Sequence, residues 1–132
     1  MRLLHAAGRA LTGIPYMMLG YDAATEPGGR VDAAAPLLDQ VRSVVPVPLD
    51  NDTIVRANGA AMVVGGAMVA TGLGARTGAG LIAASLVPTT FAGHGFWEID
   101  DPMQRKMQQV QFVKNMSLLG GALVILAGGR KD

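Results

Sequence analysis

The chain has 132 residues, half of them apolar and 16% charged, with a formal net charge of +1 and no cysteine. That length suits one domain. Without a thiol the chain has no disulfide exchange or cysteine-held iron–sulfur cluster of its own, and without a basic stripe or aromatic-interleaved patch it is no nucleic-acid binder.

Charge is distributed unevenly. Nine of the ten carboxylates fall in residues 22–52 and 98–101, leaving four long carboxylate-free stretches at 3–20, 54–73, 79–96 and 110–127. Each holds 18 to 20 residues, close to the roughly 20 that cross about 30 Å of hydrocarbon at about 1.5 Å per residue. A soluble bundle would place charges every third or fourth residue on each helix, and 59–70 and 116–127 carry none. The pattern therefore predicts an all-α, integral membrane four-helix bundle forming a single domain.

Taken in order, the first predicted span (3–20) is interrupted by His5 and Arg9 and lacks a clear small-x-small cleavage site, so it reads as a retained helix. A connection of about thirty residues follows. Within it "EPGGR" marks a break, and Pro36 suits the first turn of a short helix. From there Leu37, Leu38, Val41, Val44 and Val45 recur on one side with Asp39, Gln40 and Arg42 opposite, which predicts an amphipathic surface helix ended by "VPVP". The second and third spans (54–73, 79–96) are joined by the tight "GLGARTGAG" turn and so run antiparallel. After the polar "WEIDDPMQRKMQ" the fourth span (110–127) begins.

Four spans place both termini on one side. Lysine and arginine tie at four each: Arg2, Arg76, Arg130 and Lys131 against Arg30, Arg42, Arg105 and Lys106. Arg30 and Arg42 lie in the long connection and weigh less, which favours cytoplasmic termini.

Ionisable groups inside spans need a reason, since a central Arg or Lys costs about 2.5–3.5 kcal/mol on insertion scales. Three cations qualify: Arg9, Arg56 and Lys114. His5, Arg9, Thr12, Gly13, Tyr16 and Gly20 share one face of the first helix, which is expected to look inward. Lys114 shares a face with Ser117 and Gly121, a small-residue stripe that predicts the same. In the second span Arg56 stands above Gly59 and Ala60, while Asn58, Gly65 and Gly72 fall seven apart, a spacing of helix contact surfaces. Thr90, His94 and Glu98 are spaced by four, with Trp97 beside them and Asn115 following Lys114. Arg56 and Lys114 would sit roughly 3 and 6 Å below the same face at which His94 ends its helix. The expected site is thus a basic, amide-rich pocket of Arg56, Asn58, His94, Trp97, Lys114 and Asn115, with Arg9 and Tyr16 approaching from the first helix. The plainer reading makes Arg56 and Lys114 snorkelling or salt-bridged cations and Trp97 an interfacial aromatic. Two histidines toward opposite faces predict no metal site.

At this point the residues resemble a known family. "GRALTG" in the first helix, "NGAAMVVGGAMVATGLGAR" in the second, "HGFWEIDDP" after the third and "QFVKNMSLLGGALVIL" in the fourth look like the DoxX family. The resemblance covers nearly the whole chain, and "HxFW" with "QFxKN" is its most specific part. It implies a four-helix protein of the bacterial cytoplasmic membrane, with interest in Arg9, Asn58, His94, Phe96, Trp97, Phe112, Lys114 and Asn115 as matching motif positions. It also implies quinone-linked sulfur oxidation, terminal oxidase complexes or thiol and oxidative-stress homeostasis.

Two functions from different classes follow. In the first the chain is a membrane subunit or scaffold of a redox system that binds a quinone or small anion in its basic pocket. It has no redox group of its own, so a soluble or membrane partner protein supplies the chemistry, with lipids as the other partner. In the second, Arg9, Arg56 and Lys114 form the path of a small-anion or sulfur-compound transporter.

Overall fold

The computed structural model describes residues 1–128, which form helices joined by short connections with no strand among them. Arg130 and Lys131, counted above toward membrane orientation, lie outside the described residues.

Helix α1 spans Arg2–Thr25 and carries Pro15 within it. Its end is set by Pro27, which disfavours helical backbone at Glu26, and by Gly28, which takes a positive φ of 50°. Helix α2 then runs Gly29–Val44, so Pro36 sits in its middle rather than its first turn. The alanines at 33–35, strong helix formers, extend the helix upstream of the expected start. On the apolar side expected of this surface helix, Val41, Val44 and Val45 are exposed, while Leu37 and Leu38 are partly buried. Arg42, placed on the outer face from sequence, is half-buried. It donates to Asn51 Oδ1 and the Leu49 carbonyl, both at 2.7 Å, stapling α2 to the start of the next helix.

Helix α3, Asn51–Thr71, is capped by Asp50, whose carboxylate accepts from the Thr53 N–H at 2.7 Å. That bond holds the Asp50 carboxyl below the usual carboxylate range. Gly72 and Gly74, both at positive φ, make the turn to helix α4, Ala75–Gly93. The turn is shorter than "GLGARTGAG" suggested, because Arg76 and Thr77 already belong to α4. After a 3-10 turn at Phe96–Glu98, Asp101 caps helix α5, Pro102–Ala127, with Pro102 in its first turn.

Helices α1, α3, α4 and α5 pack antiparallel in that order, and glycine sets the spacing. A Cβ added at Gly13 would collide with the Gly66 carbonyl oxygen, and one at Gly66 would stand 2.5 Å from the Gly13 oxygen. One turn pair further along, Gly20 and Gly59 repeat the arrangement at 2.6 Å each way. Two seven-residue glycine repeats thus let α1 and α3 touch backbone to backbone. Gly65 and Gly78 do the same for α3 and α4. Ile82 and Val69 are fully buried at the centre, with Tyr16, Leu86, Ala79 and Ala122 around them.

Helix α5 departs from expectation. Lys114, Ser117 and Gly121 face outward, and a Cβ on Gly120 or Gly121 would meet nothing within 4 Å. The inward stripe is instead Phe112, Asn115, Leu119, Ala122 and Leu126, spaced three and four apart. These bulky side chains fill the volume against α4, which glycine and serine would leave empty, and turning them in turns Lys114 out. Among the described residues two helices, α3 and α5, are long and apolar enough to cross a membrane. In α1 and α4, charged and hydroxyl side chains (His5, Arg9, Thr12; Arg76, Thr77, Ser85, Thr89, Thr90) interrupt the apolar run, whereas the polar residues of α5 gather toward its start.

Candidate functional site

All five helices line a half-open cavity of about 460 Å³. Tyr16, Leu19 and Ala23 reach it from α1, and Ala33, Ala34, Leu37 and Leu38 of α2 close over it. Ile54, Val55, Asn58 and Met62 line it from α3, Leu86, Pro88 and Thr89 with the C-capping His94 from α4, and Gln111, Asn115 and Leu118 from α5. The walls are mainly apolar, with a few polar groups converging from three sides. That composition is typical of sites for small amphipathic molecules.

The polar groups are held by a network at the α4–α5 junction. His94 Nδ1 lies 2.6 Å from Gln108 Oε1. Asn115 Nδ2 donates to Thr90 Oγ1 at 2.9 Å, and the Thr90 hydroxyl donates to the Leu86 carbonyl at 2.6 Å. Behind them Phe91, Phe96, Trp97 and Phe112 form a knot of rings with centroids 5.4–6.0 Å apart, most of them edge to face. Such packing fixes the chain around His94 and Gln108. On the opposite wall Asn58 Nδ2 turns to Met62 Sδ at 3.8 Å. The Tyr16 hydroxyl is buried without a hydrogen-bond partner.

Of the residues singled out from sequence, Tyr16, Asn58, His94 and Asn115 come together around this cavity. Arg9, Arg56, Trp97 and Lys114 do not line it. Arg56 pairs with Asp52 at 2.6 Å and donates to the carbonyls of Ala24 and Thr25 at 2.8 and 3.0 Å, tying the start of α3 to the end of α1. Arg9 lies at the other end of that helix pair, with its guanidinium packed beneath the Gly72 turn and its Nε buried without a partner. His5 is exposed rather than inward, and Trp97 belongs to the aromatic knot. The three cations therefore stand in three separate places. Asn58, Gly65 and Gly72, aligned by their spacing, meet three different surroundings: the cavity, α4 and Arg9.

Residues not singled out from sequence complete the lining: Thr89, Gln111, the exposed Arg30 and the inner face of α2. One signal was available. Gln108, Gln111 and Asn115 are spaced three and four apart, an amide stripe on one face of α5. Lys114 and Asn115, adjacent in sequence, are separated by about 100° around the helix and cannot serve one site.

Comparison with protein-family models, curated proteins and solved structures gives no match for this chain.

Proposed function

We propose that the chain is a multi-pass membrane protein of the DoxX type whose interhelical cavity holds the head group of a quinone-like amphiphile. In this reading it serves as a binding subunit or scaffold for a redox or thiol-homeostasis partner. The DoxX assignment rests on the quoted "HxFW" and "QFxKN" motifs. The observation that carries the functional reading is the cavity itself. A volume of about 460 Å³ with apolar walls and converging amide, imidazole and phenol groups suits one substituted ring with its tail leaving between helices. Asn58, His94, Gln111 and Asn115 would hold the ring. A quinone, when bound, supplies electron transfer that this chain's own side chains do not, and the chain's part is to bind and orient it.

Membrane placement is supported by what the helices leave uncovered. Leu3, Leu4, Leu11, Ile14 and Met18 on α1, Val87 and Phe91 on α4, and Met107, Val113, Met116, Leu123 and Val124 on α5 are all exposed. A band of that extent is rare on a monomer in water and ordinary against lipid. The bundle of four spans, the bacterial cytoplasmic membrane and cytoplasmic termini belong to the same proposal.

The test is extraction. Protein released from membranes in mild detergent should yield a quinone-class lipid to organic solvent, and Asn115→Leu should lower its occupancy. Protein that carries no quinone and captures no redox enzyme after gentle crosslinking would refute the reading.

A further inference from the structure

The hydrogen bonds that point away from the cavity decide what is left to point into it. Gln108 Oε1 carries no hydrogen, so the proton in its 2.6 Å contact with His94 sits on Nδ1. Whenever the ring carries that single proton, Nε2 is a lone-pair acceptor. His94 lines the cavity and Gln108 does not, which leaves Nε2 as the ring nitrogen without a partner in the protein. The Asn115 amide is oriented in the same way. One hydrogen of its Nδ2 goes to Thr90 Oγ1, whose own hydrogen goes to the Leu86 carbonyl, which fixes the amide with Oδ1 free. On α3, Asn58 turns Nδ2 toward Met62 and also keeps Oδ1 free. Three acceptor atoms are thereby offered beside two donors of the same lining, the unpartnered Tyr16 hydroxyl and the Gln111 amide, so a group that both donates and accepts satisfies the site where one that only accepts does not. The cation on the lining is Arg30, an exposed residue of α2 whose guanidinium donates to the Glu26 carbonyl at 3.3 Å.

We propose that the cavity selects an amphiphile whose head group donates hydrogen bonds, a phenol or hydroxylated ring, over its carbonyl or ether counterpart. The inference rests on the reading of this cavity as a ligand site. A hydroxyl facing His94 Nε2 completes a hydrogen bond, whereas a carbonyl or ether oxygen in that place sets lone pair against lone pair. For a quinone-class ligand the dihydroxy form is the one held.

Matched probes test this on the full chain in detergent: 4-octylphenol and 4-octylanisole, alike except that the second lacks the donor hydrogen, titrated by calorimetry. The phenol should bind about tenfold more tightly or better, the size of one well-made buried hydrogen bond. His94→Phe should abolish the difference while leaving anisole binding in place. The comparison on the unmodified protein stands even if that variant fails to fold. Equal affinity of the two probes for the unmodified protein would overturn the donor inference and leave the cavity as a ligand site. Binding of neither would remove both.

Discussion

Replacing Gly66 by alanine puts the α1–α3 seam under direct test. The added Cβ would stand 2.5 Å from the Gly13 oxygen and 2.9 Å from the Met17 nitrogen. Both are backbone atoms, so no side-chain rotation relieves them. A carbon–oxygen contact needs roughly 3.3 Å, so the helices must part by about 0.8 Å. A gap of that size forfeits roughly a quarter to a half of the dispersion energy of the atoms along the seam. Overpacking of this kind costs about 3 kcal/mol, against which alanine returns about 1 kcal/mol in helix propensity, leaving roughly 2 kcal/mol of net destabilisation. Thermal unfolding followed by circular dichroism in detergent should show a fall of roughly 5–10 °C. Gly8→Ala is the internal control, because nothing lies within 4 Å of its Cβ. It should be neutral or gain up to about 1 kcal/mol. A Gly66→Ala protein as stable as the original, or a Gly8→Ala protein that loses as much, would refute the backbone-contact account. The Gly13→Ala, Gly66→Ala double variant should lose less than the sum of its parts, since both strain one contact.

Four further outcomes are expected. Arg56→Met should lower stability by about 1 kcal/mol, discounted for its exposure, through loss of the Ala24 and Thr25 carbonyl bonds, with octylphenol affinity unchanged; a selective loss of affinity would place Arg56 in the site. Lys114→Met should shift stability by less than about 0.5 kcal/mol and leave binding intact, which a melting curve and a titration check together. Because hydrogen bonding depresses the folded-state pKa of Asp50, its capping contribution is present above the unfolded carboxylate value and is lost as pH falls through the folded one. Asp50→Asn caps without titrating, so its melting temperature should fall less steeply than the native protein's on acidification; equal slopes would exclude the effect. The chain has no cysteine, so single cysteines report sidedness cleanly. In intact cells an impermeant maleimide should label Glu26→Cys and spare Leu73→Cys, and the reverse pattern would invert the proposed orientation.

Helix number and order were legible in the sequence because carboxylates and Pro–Gly breaks delimit the long helices from outside, and neither depends on tertiary contacts. Terminal bounds shifted where polar residues such as Arg76 and Thr77 continue a helix that hydropathy had ended. The inward face of α1 was readable in part: Gly13, Tyr16 and Gly20 are buried together, while His5 of the same expected face is exposed. Which face of α5 turns inward was not. A small-residue stripe signals close approach only when a partner helix presents its own small residues opposite. For α1 that partner is α3, with Gly59 and Gly66; opposite α5, the α4 surface near Gly80 receives Leu126 instead. The same error of rotation moved Lys114 into the expected site and left Gln111 out of it. Arg56 follows the plainer, salt-bridged reading: its pairing with Asp52 four residues away was legible as an i,i+4 pattern, whereas its bonds to main-chain carbonyls some thirty residues away were not.

Native mass spectrometry of the membrane-extracted protein and its Ala34→Trp variant tests the cavity most directly. Ala34 lies on the inner face of α2, away from the glycine seams, so an indole there fills the space with the four-helix packing intact. The original chain should carry an adduct of lipid-quinone mass, and the filled variant, with an unchanged melting profile, should have lost it. An adduct retained in full by the filled variant, or none on the original, would contradict a ligand held among Tyr16, Asn58, His94 and Asn115.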